Sequence, residues 1–342
     1  MRPAGADAPP RVGITVGDPA GIGPEIVLKS LEAAEVRLGC RPIVIGDAAD
    51  IRNQADSLGL HGRYEIFLTE QTLPSKLSGP VIFDTRVIEG TIQRGRVSAK
   101  AGRAAISAVK TAVDLWRAGK IDAIATAPLN KEAIQQAGSA FHGHTEMLAS
   151  LAGSATFLMS FFTENLKVIL LTIHVSLQDA IKAITRERVL LALEISQREL
   201  RRFGIVNPRI AVAGLNPHAG EHGLFGSEEV LQMNPAIADA RARGIDARGP
   251  FPADTLFLRA AKGEFDAVIA CYHDQGLIPV KSMAFGDSAG VTLGLPFVRT
   301  SVDHGTAFDI AGKGVADPGS MIRAIVLAGE LAVKEKAVKS KE

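Results

Sequence analysis

Three histidines occupy matching places in the chain. Val168-Ile-Leu-Leu-Thr-Ile173 runs into His174, Ile210-Ala-Val-Ala-Gly-Leu-Asn-Pro217 into His218, and Ala267-Val-Ile-Ala-Cys-Tyr272 into His273, with Asp274 next. Each apolar run reads as a strand, and each ends in a loop that carries an imidazole. Ligands of open parallel sheets gather beyond the carboxyl ends of the strands. Three such ends can bring three imidazoles to one point. Neutral imidazole suits Zn, Co or Ni, and three protein donors leave positions open for a substrate oxygen. A metal held in this way polarises a hydroxyl or carbonyl as a Lewis acid. A single loop histidine is usually a hydrogen-bonded structural residue; three at equivalent strand ends argue for a shared polar or metal site. The contiguous zinc signature H-E-x-x-H is absent.

Other polar groups suit an anion. Gly143-His144-Thr145-Glu146 precedes an apolar helical stretch. Thr145 can serve as the helix N-cap, and His144 with the first-turn N–H groups can also surround a phosphate or carboxylate. Lys281 follows a stretch after His273 that is poor in charge, and Arg299 lies among apolar and small residues. A cation in such a setting needs a partner, and Arg is suited to bidentate capture of phosphate or carboxylate. Asp254, in Pro252-Ala-Asp-Thr255, reads equally as a helix cap or as a neighbour of the metal. Cys271 reads as a buried small hydrophobe. Gly17-Asp-Pro-Ala-Gly-Ile-Gly-Pro-Glu25 is a glycine-rich strand-to-helix turn, structural or cofactor-contacting, and does not match G-x-G-x-x-G in frame.

These residues must be carried by a repeated unit of short apolar strand, loop and helix. Strands are expected at Val12–Val16, Pro42–Ile45, Ala123–Thr126, Lys167–Ile173, Ile210–Ala213 and Ala267–Ala270. Helices are expected at Pro24–Leu31, Ala101–Ala118, Leu177–Ile184 and Arg186–Phe203, the last closed by Gly204. Unbroken Val/Ile/Ala runs mark strands buried on both faces, hence a largely parallel sheet and an α/β class. A length of 342 residues with 46% hydrophobic and 22% charged side chains suits two lobes sharing a cleft. No low-complexity linker separates them. The net charge of +1 offers no footprint for nucleic acid. No apolar run is long enough to span a membrane, and residues 1–10 do not read as a signal peptide. Two cysteines cannot make a disulfide framework, so a cytoplasmic setting is expected. Residues 334–342 read as a frayed helix end or tail.

Seven stretches together resemble the 4-hydroxythreonine-4-phosphate dehydrogenase family. They are Gly17–Glu25, Thr126-Ala-Pro-Leu-Asn-Lys131, Gly143–Glu146, Leu215-Asn-Pro-His-Ala-Gly-Glu221, Pro252–Thr255, Tyr272-His-Asp-Gln-Gly276 and Arg299-Thr-Ser-Val-Asp-His-Gly-Thr306. The resemblance implies a two-lobed α/β/α sandwich like isocitrate and isopropylmalate dehydrogenases, with the active-site cleft between lobes. It implies a first lobe of residues 11–138 plus 287–342, and a second lobe of 139–286 carrying the metal ligands and dimer interface. It further implies a homodimer whose active site takes residues from both subunits, a divalent metal (Zn, Mg or Co), and NAD or NADP. The implied metal ligands are His174, His218 and His273, with Asp254 beside them in the catalytic set. The implied substrate contacts are His144, Thr145, Lys281 and Arg299. The family places an asparagine nine residues before the arginine, and here that position is Gly290. The implied reaction oxidises the C3 hydroxyl of 4-phosphooxy-L-threonine to 2-amino-3-oxo-4-phosphooxybutanoate, which decarboxylates to 3-amino-2-oxopropyl phosphate. Related branches oxidise 4-phospho-D-erythronate, 4-phospho-D-threonate or aromatic cis-dihydrodiols. No general base stands out in the sequence.

Two rival classes follow from the same residues. A non-catalytic sugar-phosphate binding protein would use the fold without the chemistry, and the full set of histidines and cations argues against it. Gly286-Asp-Ser-Ala-Gly290 matches the hydrolase motif G-x-S-x-G, but that motif needs a helix after it, and Val-Thr-Leu-Gly-Leu-Pro follows. Ser301, Asp303 and His304 supply triad letters too close together to form a triad.

Overall fold

The protein was analysed as a computed structural model that describes residues 8–60, 62, 64–68, 73–74, 77, 79–283 and 287–341. Twelve strands follow in chain order: β1 Arg11–Thr15, β2 Arg41–Gly46, β3 Glu65–Leu68, β4 Val81–Asp84, β5 Ala123–Thr126, β6 Leu158–Phe162, β7 Lys167–Leu170, β8 Ile210–Ala213, β9 Ala247–Phe251, β10 Ala267–Ala270, β11 Ala289–Leu293 and β12 Val298–Ser301. The chain forms two units, Met1–Ala155 with Leu295–Val333, and Thr156–Gly294 with Lys334–Glu342. Residues 139–155 therefore group with the first unit. Their helix, His144–Ala152, packs on helix Ala99–Arg117 of that unit.

The first unit carries strands in the order β3-β4-β2-β1-β5-β12, all parallel. The order reverses between β1 and β5, so the loops after these two strands lie at a topological switch point. Helix Ala99–Arg117 shows why the sequence folds this way. Ser98 caps it by accepting the Ala101 N–H at 3.2 Å. Ala101, Ala105, Ala108, Val109 and Ala112 form its buried stripe at helical spacing. Gly102 is required there, because a Cβ would stand 2.0 Å from the Ala133 carbonyl oxygen.

The second unit has the order β11-β6-β7-β10-β8-β9. The run β7-β10-β8-β9 is parallel, while β6 is antiparallel to both β7 and β11. The sheet is thus mixed rather than uniformly parallel. Its core joins Val168, Leu170, Ala211, Ala213, Val268 and Ala270 from the strands to Leu256, Phe257 and Val280 from helices. Thr185 caps helix Arg186–Arg202, and Gly204 closes it at φ +87°. Of the two readings for residues 334–342, a helix end or a tail, the structure shows the helix end: helix Gly319–Lys339 runs through to Lys339. Glu335, only 7% exposed, pairs with Arg202 at 3.1 Å. Glu342 lies outside the described residues. Among the described residues no helix is long and apolar enough to cross a membrane.

The glycine-rich turn after β1 is stitched to its surroundings. The Asp18 N–H donates to the Pro128 carbonyl at 2.9 Å, and the Ile22 N–H to the Thr306 carbonyl at 3.0 Å. A Cβ on Gly17 would lie 2.1 Å from the Pro128 oxygen, and one on Gly23 2.1 Å from the Val16 oxygen. Close backbone packing therefore accounts for both glycines. Asp18 is fully buried. Its Oδ1 accepts the Ala20 N–H at 2.8 Å, while Oδ2 has no hydrogen-bond partner. Burial pushes its pKa from 3.8 up to about 6, against the lowering effect of the Ala20 N–H and Arg94. A carboxyl whose pKa is raised on folding favours the native state below its unfolded pKa, and that contribution is lost as pH rises through the folded value. Asp18→Asn should therefore match the parent in melting temperature near pH 4. It should gain on the parent progressively between about pH 4 and pH 6, by on the order of 2–3 kcal/mol in all, and hold a level offset above about pH 7. Melting curves at several pH values check this; the same offset at about pH 4 as at about pH 7 would contradict it.

Candidate active site

Side chains lock together the ends of three neighbouring strands in the second unit. β10 lies between β7 and β8. Thr172 Oγ1, just past β7, donates to the Cys271 carbonyl at 2.8 Å. Cys271, just past β10, donates its thiol to the Ala213 carbonyl at 3.3 Å. Gln275 closes the set: its Oε1 accepts the Cys271 N–H at 2.6 Å and its Nε2 donates to the Gly214 carbonyl at 2.7 Å. Cys271 is thus a buried structural thiol, and burial raises its pKa strongly.

This lock sets where the histidines emerge. His174 and His273 have ring centroids 5.8 Å apart. His273 Nδ1 lies 2.7 Å from Asp274 Oδ1. With Nδ1–H donating to that carboxylate, Nε2 keeps its lone pair for a ligand, the arrangement usual behind metal-bound imidazoles. Both rings border a cavity of about 260 Å³ with Ile173, Leu177, Tyr272 and Asp274. The stretch after His273, read from sequence as a loop, is helix His273–Met283. Gly276 makes that possible, since a Cβ there would stand 2.5 Å from Leu170 Cδ2 on β7. Packing on the sheet outweighs the poor helix propensity of Gly276 and Pro279. Lys281 lies in the last turn of this helix.

His218 follows β8 on the other side of β10. It opens a turn in which five successive residues, His218 to His222, have positive φ, between 45° and 80°. Four of the five are not glycine. At roughly 1–2 kcal/mol each, the turn costs on the order of 4–8 kcal/mol, comparable with the whole net stability of a domain. Such strain persists only where surroundings enforce it and is concentrated at functional sites. The carboxylate of Glu229, 1% exposed, lies against this turn; its Oε1 accepts the Asn216 N–H at 2.7 Å and its Oε2 accepts Asn216 Nδ2 at 2.9 Å. The His218 ring faces Phe225, with centroids 6.2 Å apart. One chain thus pairs two of the three imidazoles; among the described residues no three His, Cys, Asp or Glu side chains are grouped to hold a metal ion. The paired imidazoles have donor chemistry that fits a borderline divalent metal.

Asp254 is exposed in the first turn of helix Ala253–Ala261 and is not its cap; Pro252 holds that position without a side-chain bond. Gly290 is buried within β11, opposite Phe161. Of the motif Gly286–Gly290, Gly286 lies outside the described residues; Ser288 is 1% exposed and leads into a strand, not a helix. Asp303 and Ser320 bond each other, and His304 Nδ1 is 3.0 Å from the Gly305 carbonyl, so the triad letters are used locally.

The anion-binding candidates of the first unit meet around the end of β5. Arg299 pairs in register with Ile124, and its Nη2 donates to Thr126 Oγ1 at 2.8 Å. It is 5% exposed, and burial lowers its pKa to about 10. His144 opens helix His144–Ala152, with Gly143 rather than Thr145 at the cap; Thr145 is buried in the first turn. Burial, reinforced by the Arg299 charge, pushes the His144 pKa well below 6.5. The ring is therefore neutral at pH 7, and its Nε2 is buried without a hydrogen-bond partner. A buried polar atom left in this way marks a place where a ligand completes the bonding.

Sequence reasoning did not find Gln275, Glu229 or Asn216. Asn216 and Gln275 lie inside the stretches that contain His218 and His273, whereas Glu229 lies beyond them and carried no signal.

The chain is similar over most of its length to known dehydrogenases. A 4-hydroxythreonine-4-phosphate dehydrogenase of Desulforapulum autotrophicum is 44% identical over 94% of this chain and 95% of its own. A D-threonate 4-phosphate dehydrogenase of Cupriavidus necator is 46% identical over 96% of this chain and 99% of its own. The crystal structure of 4-hydroxythreonine-4-phosphate dehydrogenase from Klebsiella pneumoniae superposes with a TM-score of 0.88, at 43% identity, covering 96% of this chain and 99% of that one. The sequence model described as "Pyridoxal phosphate biosynthetic protein PdxA" matches residues 39–328. The chain belongs to this PdxA family, and it is an oxidoreductase of the dehydrogenase type.

Proposed function

We propose that the enzyme oxidises the C3 hydroxyl of 4-phosphooxy-L-threonine to 2-amino-3-oxo-4-phosphooxybutanoate, a 3-oxo acid that loses CO2 to leave 3-amino-2-oxopropyl phosphate. The observation that carries this reading is the buried, unsatisfied Nε2 of neutral His144 beside the buried guanidinium of Arg299. An anionic substrate group with a hydroxyl or acidic oxygen satisfies both: Arg299 supplies charge and His144 accepts a hydrogen bond. Thr145 and the first-turn N–H groups of the helix add donors to that anion; Lys281 is kept as a further substrate contact on the family resemblance.

A bound divalent metal (Zn, Mg or Co) would polarise the C3 oxygen, and a bound NAD or NADP would accept the hydride. His174, His218 and His273 would hold the metal, with Asp274 orienting His273. The glycine-rich turn after β1 is filled by the protein's own backbone at Gly17 and Gly23. It does not fit as a phosphate cradle, so no nicotinamide contact is assigned to those glycines. Asp254 belongs with the histidines as a polar neighbour of the reacting centre.

A homodimer with shared sites is supported by large apolar side chains left exposed near the histidines in the chain. Val175 is 54% exposed, Leu177 57%, Leu224 73%, Phe225 49% and Ile278 63%. Such patches mark interaction surfaces, and a second copy would bring the third imidazole to the pair. A reducing, cytoplasmic setting agrees with two free, buried cysteines.

A second reading keeps the chemistry and changes the substrate. The relative of Cupriavidus necator is named for D-threonate 4-phosphate, and Gly290 removes the amide that the family resemblance led us to expect. Both substrates share the C4 phosphate and C3 hydroxyl and differ at C2, amino against hydroxyl. Initial rates of NAD(P)H formation with each, and with 4-phospho-D-erythronate, decide between them. We expect the highest kcat/KM with 4-phosphooxy-L-threonine; a clear preference for a C2 hydroxyl would move the assignment to the second reading.

His218→Ala should lose metal binding and turnover with its circular dichroism and melting temperature unchanged. Full activity of that variant in chelator would remove the metal from the mechanism. Coexpressing His174→Ala and His218→Ala chains tests the shared site. If His218 serves the partner's pair, each mixed dimer keeps one intact site and the mixture recovers about a quarter of parental activity. No recovery above the single variants would place all three ligands in one chain.

A further inference from the structure

The left-handed turn at His218 needs more than its own backbone to exist, and the structure contains one group placed to hold it. Glu229 is buried at 1% exposure, yet among the described residues it has no ion-pair partner; its bonds go to the Asn216 N–H and Nδ2. Asn216 stands two residues before His218, and its Nδ2 also donates to Glu228 Oε2 at 2.8 Å. The turn is wound closely round the Glu229 carboxylate. A Cβ on Gly220 would stand 2.8 Å from Oε2, and one on Gly214 3.4 Å from Oε1. Gly220 adopts φ +80° at the centre of the turn, where a side chain would collide with the carboxylate. A buried carboxylate met only by N–H donors carries charge that no protein cation offsets, an arrangement that costs stability unless a cation binds nearby.

We infer that Glu229 is a positioning residue for His218. Its carboxylate is the peg that holds the left-handed turn and so fixes the imidazole, and its uncompensated negative charge favours a divalent cation on that imidazole. Asn216 transmits the constraint, joining the end of β8 to the carboxylate through both its backbone and side-chain amide. This inference rests on the reading of His218 as a metal ligand and adds to it a group outside the ligand set. Gln275 has a separate task, holding the β8 and β10 ends together. It does not touch the turn by any hydrogen bond beyond Gly214.

The test is titration of the metal-free full-length protein with Co(II), followed by visible absorption, alongside the melting temperature. Glu229→Gln keeps the shape and one acceptor but removes the charge. It should weaken Co(II) binding at least about tenfold and lower kcat with little change in KM, while the metal-free protein still folds and melts cooperatively. Gly220→Ala approaches the same contact from the other side and leaves the charge in place. It should also weaken Co(II) binding and should change the Co(II) spectrum, because the imidazole is displaced. Should Glu229→Gln fail to fold, the Gly220→Ala titration alone decides. Parental Co(II) affinity in whichever of these variants folds would overturn the role of Glu229 while leaving the metal reading intact. A parent protein that binds no Co(II) would end the metal reading, and this inference with it.

Discussion

The site depends on holding the ends of three parallel strands in fixed register to one another. Backbone pairing alone does not do this, because ladder hydrogen bonds stop where the strands stop. In the second unit, Thr172, Cys271 and Gln275 extend the sheet by one further layer of side-chain bonds, joining β7 to β10 and β10 to β8. All of these bonds end on main-chain groups, so they fix backbone position rather than side-chain rotamer. His174 and His273 then leave from a rigid edge, and their 5.8 Å separation follows from the spacing of adjacent strands.

The two units solve opposite electrostatic problems. The first buries positive charge: Arg299 is held by Thr126, and His144 beside it is kept neutral. The second buries negative charge: Glu229 is held by amides and surrounded by a strained turn. Burial of each charge carries a desolvation cost that its hydrogen bonds offset in part. Preorganised charge of this kind is an expense in stability that returns as binding and catalysis.

Much of the framework was legible in the residues. Ala123–Thr126, Ile210–Ala213 and Ala267–Ala270 are strands with the bounds that their apolar runs suggest, because strands buried on both faces admit almost no polar residue. The antiparallel strands β6 and β11 were not recognised. Leu158–Phe162 and Ala289–Leu293 mix polar and apolar residues, and their direction depends on which neighbour they pair with. Helix His273–Met283 was hidden by Gly276 and Pro279, whose local preference is against a helix and whose close fit to β7 overrides it.

By itself, the sequence determined the class of chemistry. Histidine after apolar strand, three times over, together with an arginine set among apolar residues, makes those side chains the candidates for metal and anion binding. Only the tertiary structure decided which of these groups meet. It put β10 between β7 and β8, turned the backbone left-handed at His218, and set Glu229 and Gln275 behind the loops. Residue type is a local property and can be read one position at a time. Strand order, buried charge and positive φ come from contacts between segments far apart in the chain, and no local pattern encodes them.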